Sequence, residues 1–283
     1  AAFQRIDQLN QCASDYLPES ELSQLNKAPA NTPVPVSEDL FALISRSAEI
    51  SRQTEGAFDI TATYAVQHWR RARRQKKLPT PEQTQKAIAM TDWRAVKLDV
   101  SQRMVTKLKE GLLLDVGGIG KGYAADAALA VLRQHGVTRA LVAGSGDVAA
   151  GDAPPGKDGW EVALRTFEGP EEKDQLEHLI LKNCGCSTSG DLHQFLELDG
   201  RRYSHIVDPK TGLGLTERIA CTVVSPDATT SDALATGLCV LGVEKGLAVV
   251  ERFPATAARF VWFSGNDRHT RESAAFQALP RAR

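Results

Sequence analysis

The sequence predicts an α+β fold in which mixed β-sheets are flanked by helices. Three observations indicate this class. Apolar residues recur at helical spacing in the first part of the chain, the middle joins glycine-rich turns to an alanine-rich helix, and the part after Trp160 alternates apolar and polar residues as strands do. No linker divides the chain cleanly. We therefore expect one compact domain over residues 1–265, followed by a polar, loose tail over residues 266–283.

Length, composition and charge are those of a soluble globular chain. Of its 283 residues, 42% are hydrophobic and 24% are charged, which allows a sizeable core and excludes general disorder. The 34 basic and 35 acidic side chains give a net charge of -1, whereas a dedicated nucleic-acid binder needs a basic surplus. No apolar run approaches the ~18–20 residues that cross a bilayer. The opening residues 1–5 lack a signal-peptide pattern and resemble the start of a mature protein.

Helical signals dominate the N-terminal part. A first helix is predicted where apolar residues recur at intervals of three and four, at Ile6, Leu9 and Ala13. Ser37 is expected to cap a longer helix that Gly56 ends.

The segment 70–77 contains six basic residues in eight. It predicts either an electrostatic patch for nucleic acid or a solvated helix face or loop, and the overall charge balance favours the second interpretation. After two prolines, Thr80 or Thr84 is expected to start a helix that runs through Ile88.

The middle of the chain predicts strands and glycine-rich turns around one helix. A short buried strand over 112–116 leads into a glycine-rich turn over 117–122, and an alanine-rich helix follows over 123–134. A second strand over 138–143 ends in a second turn over 144–147.

The C-terminal part predicts further strands and two helices. Asp199-Gly200 is a hairpin signal. Strands are expected at residues 160–164, 195–198, 219–224 and 260–263. Helices are expected at residues 231–240 and 243–252. No two of the five cysteines form a C-x-x-C pair, so we interpret all five as buried or unremarkable thiols.

The glycine-rich turn after Asp115 is the first candidate for chemistry. Glycines let a backbone approach phosphates, and a helix N-terminus adds partial positive charge. A dinucleotide-binding pattern would need glycine where Tyr123 stands, and a P-loop would need Ser or Thr in place of Gly122. A phosphate cradle and a plain strand-to-helix turn both remain open.

Two polar segments are further candidates. Residues 186–191 are dense in hydroxyl groups but lack the G-x-S-x-G pattern of serine hydrolases, so they also suit a hydrogen-bonded turn. His205 follows a strand and precedes a Pro-Lys-Thr-Gly turn, where it could act as a base facing a cleft or simply be a satisfied polar residue.

Asp232 and Thr236 are four residues apart in a predicted helix and therefore share one face. Carboxylate and hydroxyl oxygens are hard ligands that suit magnesium better than zinc. Alternatively, Thr229 and Asp232 have the spacing of a capping box, which explains the acid without a metal. Spacing alone does not choose between these two.

Six of these segments together resemble the ApbE family, whose members are FAD:protein FMN transferases. They occur in the order and spacing of that family, and the resemblance extends from about residue 5 to residue 263. The segments are 58–61, 115–126, 143–147, 187–190, 204–209 and 231–236.

The resemblance implies a magnesium-dependent enzyme with a cleft for FAD and metal between two lobes. Such an enzyme transfers the FMN half of FAD to a threonine hydroxyl of a flavoprotein subunit of a redox complex, and AMP leaves. Many family members are lipid-anchored outside the cytoplasmic membrane. We therefore expect a place in the cell envelope, at the periplasmic face, with any anchor upstream of Ala1.

The resemblance also assigns residues to roles. His205 matches the catalytic base. The residues that match FAD or flavin contacts are Tyr16, His68, Trp69, Arg70, Asp115, Lys121 and Val207. The residues that match metal ligands are Gly118, through its carbonyl, Asp232 and Thr236.

These roles agree with the chemistry of phosphoryl transfer, which depends on alignment and charge neutralisation more than on covalent help from the protein. Histidine, with an ordinary pKa of ~6.5, can accept a hydroxyl proton near neutral pH. Two alternatives use the same site. One is an FAD pyrophosphatase, in which water attacks, and the other is a catalytically silent FAD-binding protein.

Overall fold

A computed structural model describes residues 1–164, 167, 177–191 and 195–282 of the chain. Helices and antiparallel strands are mixed along it, which confirms the α+β class. The helices are α1 (Ala2–Ala13), α2 (Glu21–Lys27), α3 (Glu38–Gln53), α4 (Thr63–Gln75), α5 (Pro81–Met90), α6 (Gly120–Gln134), α7 (Ala228–Leu241), α8 (Val243–Val250) and α9 (Ala274–Gln277).

The strands are β1 (Val34–Pro35), β2 (Val96–Asp99), β3 (Met104–Lys107), β4 (Leu141–Gly144), β5 (Asp147–Ala150), β6 (Trp160–Ala163), β7 (His178–Leu181), β8 (Cys184–Gly190), β9 (Phe195–Leu198), β10 (Arg201–Ser204), β11 (Val207–Asp208), β12 (Leu213–Gly214), β13 (Ile219–Ser225), β14 (Ala257–Ser264) and β15 (Asp267–Glu272). None of the described helices is long and apolar enough to cross a membrane.

The chain divides into two compact units. The first unit contains Ala1–Ile6, Lys121–His193 and Arg218–Arg283. The second unit contains Asp7–Gly120 and Gln194–Glu217. The cleft between two lobes that the resemblance implies stays a prediction.

The first unit is built on an antiparallel sheet. Its described strands follow the order β15-β14-β13-β8-β5-β4. Every residue of the central strand β13 is buried, because β13 pairs with β14 on one side and β8 on the other. The cysteines carry no disulfide, and Cys186, Cys221 and Cys239 are buried, as the sequence predicts.

The expectation of a loose tail after Gly265 is wrong for its described part, up to Ala282. Residues 267–272 form β15, which pairs with β14 along its whole length. The short helix α9 follows, and its Phe276 is fully buried against Leu179, Leu181 and neighbouring apolar residues. The polar composition of β15 does not indicate a strand, because β15 is an edge strand and exposes most of its side chains.

The second unit contains a small three-stranded sheet and the helices α2 to α5. The strands follow the order β1-β3-β2. Ser37 caps α3 by accepting a hydrogen bond from the Leu40 amide, which confirms the prediction. Thr80 caps α5 and forms a capping box with Gln83, which selects Thr80 over Thr84 as the start of that helix.

The basic segment 70–77 forms the last turns of α4 and the residues after it. Arg71 and Arg74 are exposed on the helix, which confirms the solvated-face interpretation for these two. The helix ends at Gln75, and the backbone of its C-cap residue Lys76 is left-handed with a φ of 51°.

The predicted strand over 112–116 is wrong. Buried and half-buried residues alternate in this run, but it pairs with no strand of the described chain, because side chains of distant residues take several of its backbone groups. Asn26 bonds both the amide and the carbonyl of Leu114, and the ammonium of Lys107 donates to the carbonyl of Leu112. The amide of Asp115 donates to the carbonyl of Ile60. Apolar composition indicated burial correctly, whereas the backbone partners are set by tertiary structure.

Candidate functional site

The N-terminus of α6 brings a lysine between two acidic side chains of the first unit. The Nζ atom of Lys121 lies 2.5 Å from Oδ2 of Asp147 and 3.2 Å from Oδ1 of Asp232. Both carboxylates are nearly buried, with 4% and 3% of their side-chain surface exposed. We call these three residues the lysine–aspartate cluster. The sequence patterns assign roles to Lys121 and Asp232 but none to Asp147.

Burial changes the acidity of this cluster. Loss of solvent raises the pKa of Asp232 to about 6, and the carboxylate of Asp147 acts in the same direction. The ammonium of Lys121 opposes this rise. Burial alone would lower the pKa of Lys121, but the two carboxylates outweigh it and raise that pKa. Two acids against one base leave an excess of negative charge, which a further cation would offset.

Gly122 explains why this turn lacks the serine or threonine of a P-loop. Its amide donates a 2.9 Å hydrogen bond to Oδ2 of Asp232. A Cβ atom at position 122 would lie 2.1 Å from the carbonyl oxygen of Ala228, so any side chain would force α6 and α7 apart. Helix packing therefore requires this glycine, whatever the rest of the turn binds.

The capping-box hypothesis for Thr229 and Asp232 is wrong. The helix α7 begins earlier than predicted, at Ala228, and its cap is Asp227, whose Oδ1 accepts from the Thr230 amide at 2.7 Å. Asp232 therefore lies inside the helix, one turn beyond its start. Its carboxylate contacts α6 and does not cap its own helix.

The hydroxyl-rich segment 186–191 forms most of strand β8, so the interpretation as a turn is wrong. Alternate residues of β8 face α7. The hydroxyl of Ser187 lies 2.8 Å from that of Ser231, and the hydroxyl of Ser189 lies 3.1 Å from that of Thr236. These contacts hold α7 against the sheet and place the hydroxyl of Thr236 one helical turn after Asp232.

The donor atoms near the start of α7 suit magnesium. No group of three or more His, Cys, Asp or Glu side chains in the described part of the chain is arranged to hold a metal ion. Magnesium, however, also takes hydroxyl oxygens, carbonyl oxygens and waters. Asp232 and Thr236 supply a carboxylate and a hydroxyl on one helix face, and the carboxylate of Asp147 is held nearby through Lys121.

A second cluster lies in the second unit, around Arg70. Its Nη1 lies 2.7 Å from Oδ2 of Asp15, and its Nη2 lies 3.1 Å from Oδ2 of Asp115. The guanidinium carbon lies 5.2 Å from the centre of the Tyr16 ring, and 73% of the surface of Tyr16 is exposed. We call these four residues the Arg70 cluster. It brings together three of the predicted flavin contacts and adds Asp15.

The turn after Asp115 is held by its own side chain. Oδ1 of Asp115 accepts a 2.8 Å hydrogen bond from the Gly117 amide. Burial raises the pKa of Asp115, and the charge of Asp15 adds to this rise, while Arg70 opposes it. Gly118 lies half-buried in this turn. The assignment of its carbonyl to a metal stays a prediction.

Trp69 lies in the core of the second unit. Only 1% of it is exposed, and its ring centre lies 5.5 Å from that of Tyr203. Its Nε1 donates a 2.8 Å hydrogen bond to the carbonyl oxygen of Ser204. The structure thus places this predicted flavin contact where it supports other residues from the core.

His68 is half-buried on α4, and its ring centre lies 6.4 Å from that of Tyr64. Burial lowers the pKa of its imidazole, and the charges of Arg71 and Lys86 lower it further. Both effects favour the neutral form of the imidazole. Its contact with a flavin stays a prediction.

His205 and Val207 lie at the bend between β10 and β11 and at the start of β11. The bend is fixed on both sides of His205, because the hydroxyl of Ser204 accepts from the Ile206 amide at 3.0 Å and the carbonyl of Ile206 accepts from the Leu215 amide at 2.9 Å. His205 is half-buried and Val207 is buried. The histidine thus stands on a rigid turn, as a positioned base requires.

Sequence reasoning assigned no individual role to three residues that hold these sites. They are Asp15, Asp147 and Ser189. Asp147 and Ser189 lie in two of the family-like segments, so a polar residue in such a segment was the available signal. Asp15 has no local signal, because its partner Arg70 is 55 residues away.

Sequence comparisons place the chain among known proteins. A model of the ApbE family matches residues 1–260. A protein of Haemophilus influenzae named FAD:protein FMN transferase is 31% identical over 281 residues, which are 97% of this chain and 81% of that protein. Proteins of the same name from Treponema pallidum and Escherichia coli K12 are 32% and 33% identical, over 96% and 88% of this chain and 78% and 72% of their own length.

Solved structures show the same similarity. The apo form of the flavinyl transferase ApbE from Pseudomonas stutzeri matches 98% of this chain and 86% of its own, with a TM-score of 0.86 and 31% identity. The ApbE protein of Thermotoga maritima matches 99% of this chain and 90% of its own, with a TM-score of 0.86 and 28% identity. The similarity therefore includes the segments that carry both clusters.

Proposed function

The chain belongs to the ApbE family, and we propose that it transfers the FMN moiety of FAD to a threonine hydroxyl of an acceptor flavoprotein, with magnesium required and AMP released. The name that its relatives share, FAD:protein FMN transferase, supports the donor and the group transferred. The observation that best supports the chemistry is the lysine–aspartate cluster, in which a half-exposed ammonium lies between two buried carboxylates. A diphosphate needs positive charge where it is cleaved. The ammonium supplies such charge directly, and oxygen ligands supply it by holding a metal ion.

In the proposed reaction the threonine oxygen attacks the phosphorus atom of the FMN half of FAD. A new O–P bond forms, the bond from that phosphorus to the bridging oxygen breaks, and AMP leaves with the bridging oxygen. No atom changes its oxidation state. The hydroxyl proton must pass to a base, and the charge on the diphosphate must be neutralised.

Charge neutralisation falls to the lysine–aspartate cluster. Its raised pKa keeps Lys121 protonated at neutral pH, so its ammonium can donate to a phosphate oxygen. Asp232 and Thr236 would hold magnesium, which supplies positive charge to the diphosphate oxygens when it is bound. The third ligand, the carbonyl of Gly118, rests on the family resemblance alone.

Flavin binding falls to the Arg70 cluster. The Tyr16 ring is largely exposed and offers a flat surface to the isoalloxazine ring of the flavin. Arg70 is held by Asp15 and Asp115, so its guanidinium is in place before a ligand arrives. Because these groups are already ordered, less conformational entropy is lost when a ligand binds.

His205 is the proposed base for the threonine proton. Its bend is fixed by the hydrogen bonds that the Ser204 hydroxyl and the Ile206 carbonyl accept, and by the indole of Trp69, which holds the carbonyl of Ser204. A base on a rigid turn keeps a constant direction toward the incoming hydroxyl.

The test incubates the purified protein with FAD, Mg²⁺ and a flavoprotein subunit that presents a threonine. Covalently flavinylated acceptor and AMP are expected in equal amounts. Omitting the acceptor is the control: free FMN and AMP would then identify an FAD pyrophosphatase. FAD binding without AMP under either condition would identify a silent flavin-binding protein and contradict the proposal.

We also propose that the acceptor belongs to a redox complex of the cell envelope and that the protein works at the periplasmic face of the cytoplasmic membrane. The family resemblance supports this location. Fractionation of the native host, followed by immunodetection, tests it, and a purely cytoplasmic signal would contradict it.

A further inference from the structure

Two carboxylates join the N-terminal turns of α6 and α7. One belongs to α7 and binds α6, and the other belongs to α6 and binds α7. Asp232 of α7 accepts a hydrogen bond from the Gly122 amide of α6 at 2.9 Å. Asp126 of α6 accepts from the amides of Ala228 and Thr229 at 2.9 and 2.8 Å, and from the hydroxyl of Thr229 at 2.6 Å. Each helix start, where amides lack partners within the helix, is thus satisfied by an acid of the other helix.

These contacts fix the position of one helix along the other. Gly122 and Asp126 are four residues apart on α6, and their partners Asp232 and Ala228 are four residues apart on α7. The contacts therefore lie one turn apart, in antiparallel order. The backbone of α6 at Gly122 contacts the backbone of α7 directly. No flexible side chain lies between them that could adjust if α7 slid along α6.

Small shifts matter for a metal ligand. Sliding α7 by one residue would move Asp232 by ~1.5 Å, whereas ligand atoms must lie within about 0.2 Å of their proper distance from a metal. An interaction that fixes the register of α7 therefore fixes the metal site as well.

We infer that Asp126 is a positioning residue, which sets where the carboxylate of Asp232 lies and thereby sets the affinity of the magnesium site; this inference rests on the proposed function. Asp126 acts through the helix that carries Asp232, because its described hydrogen bonds all go to the first residues of α7. Its Oδ1 accepts from Ala228, and its Oδ2 accepts from the amide and the hydroxyl of Thr229. Removing a residue that orients a metal ligand typically weakens metal binding by about 10–100-fold.

The test measures the affinity of the full chain for Mn²⁺ by electron paramagnetic resonance, in the absence of FAD and acceptor. Asp126→Ala is expected to weaken Mn²⁺ binding at least about tenfold. Asp126→Asn should weaken Mn²⁺ binding less. One oxygen remains to accept from Ala228, whereas the new NH₂ group cannot accept a hydrogen bond from the Thr229 amide. Should the alanine variant fail to fold, Asp126→Asn and Thr229→Val, which removes only the hydroxyl contact, supply the graded comparison.

Asp227→Asn is the matched control. Asp227 caps the same helix, but its contacts, with the amide and hydroxyl of Thr230 at 2.7 and 2.6 Å, lie within α7. This variant should leave the affinity for Mn²⁺ unchanged and lower the thermal midpoint only slightly, because asparagine caps a helix nearly as well as aspartate does. Folded Asp126 variants with unchanged affinity, or an equal loss in Asp227→Asn, would overturn the inference alone. If the unaltered protein binds no Mn²⁺, the proposed metal site fails and the inference fails with it.

Discussion

The indole Nε1 of Trp69 donates a 2.8 Å hydrogen bond to the carbonyl oxygen of Ser204, the residue that immediately precedes His205. This bond ties the bend of the candidate base to α4. The residue after Trp69 is Arg70, which holds Asp115 and contacts Tyr16. Consecutive residues of one helix point in different directions, so α4 supports the base from one side and the Arg70 cluster from another.

The first prediction concerns this bond. Trp69→Phe keeps an aromatic ring but leaves the buried carbonyl of Ser204 without its donor, which should lower the free energy of unfolding by about 1–3 kcal/mol. The bend should relax, so kcat should fall while the Kd for FAD changes little. Urea denaturation and steady-state AMP release measure both effects. Trp160→Phe is the control, because it removes an indole bond to Asp152 at an exposed site. An unchanged kcat in Trp69→Phe would contradict the supporting role.

The second prediction concerns His205 itself. His205→Gln removes the proposed base but keeps a polar side chain, and the rate of transfer should fall by about 10²–10⁴-fold. FAD binding should persist, because the Arg70 cluster and the lysine–aspartate cluster remain intact. Single-turnover AMP release and quenching of FAD fluorescence separate the two properties. His135→Gln, an exposed change at the end of α6, should alter neither. A transfer rate within the range of that control would remove His205 from the mechanism.

Elements with local signals could be predicted from the sequence. Ser37 and Thr80 cap α3 and α5 as expected, because a cap depends on residues only three positions away. The Asp199-Gly200 hairpin is likewise local, since both residues adopt the positive φ that a tight hairpin turn requires. The spacing of Asp232 and Thr236 placed both on one helix face correctly.

Elements set by distant partners could not be predicted in this way. The buried run over 112–116 has the composition of a strand, yet Asn26 and Lys107 take its backbone groups. The role of Asp147 depends on a lysine 26 residues earlier, and no pattern of one segment reveals such a pair. The proposed roles of Asp232 and His205 depend on the order of several segments together, which a single motif does not supply.

The third prediction concerns metal dependence. Asp232→Ala removes the carboxylate proposed to hold magnesium, so stimulation by Mg²⁺ should be lost and turnover should fall by about 10²-fold or more. AMP release measured over a range of Mg²⁺ concentrations, with chelator added as the metal-free reference, tests this. Asp267→Asn, at an exposed position of β15, should respond to Mg²⁺ normally. Full Mg²⁺ stimulation in Asp232→Ala would show that this helix face holds no metal.

The fourth prediction concerns pH and stability through Asp59. Burial raises its pKa from 3.8 to about 6, although the amide and hydroxyl of Thr61 and the amide of Trp93 donate to it. The folded state therefore holds this proton more tightly than the unfolded state does. Between about pH 4 and pH 7 the free energy of unfolding should decrease as pH rises, by up to about 3 kcal/mol from this group.

Asp59→Asn is expected to remove the contribution of Asp59 to the pH dependence of the free energy of unfolding. Other acids titrate in the same range, so the quantity to measure is the difference between the parent and variant denaturation free energies at each pH. This difference should change steadily between about pH 4 and pH 7 and stay constant above. Asp267→Asn serves as the exposed control. Parallel profiles for parent and Asp59→Asn would show that Asp59 titrates alike in both states.

The last prediction concerns the C-terminal segment, which composition alone marks as loose. Phe276 is fully buried among Leu179, Leu181 and Val224, and Arg281 bridges Glu177 and Glu272 at 2.9 and 2.8 Å. Phe276→Ala should lower the free energy of unfolding by about 3–5 kcal/mol, because the cavity it leaves lies against the sheet. Phe3→Ala is the control, since that ring is 84% exposed and its loss should cost less than about 0.5 kcal/mol. A loose segment would make the two phenylalanine variants equally stable in urea, whereas a docked one separates their midpoints widely.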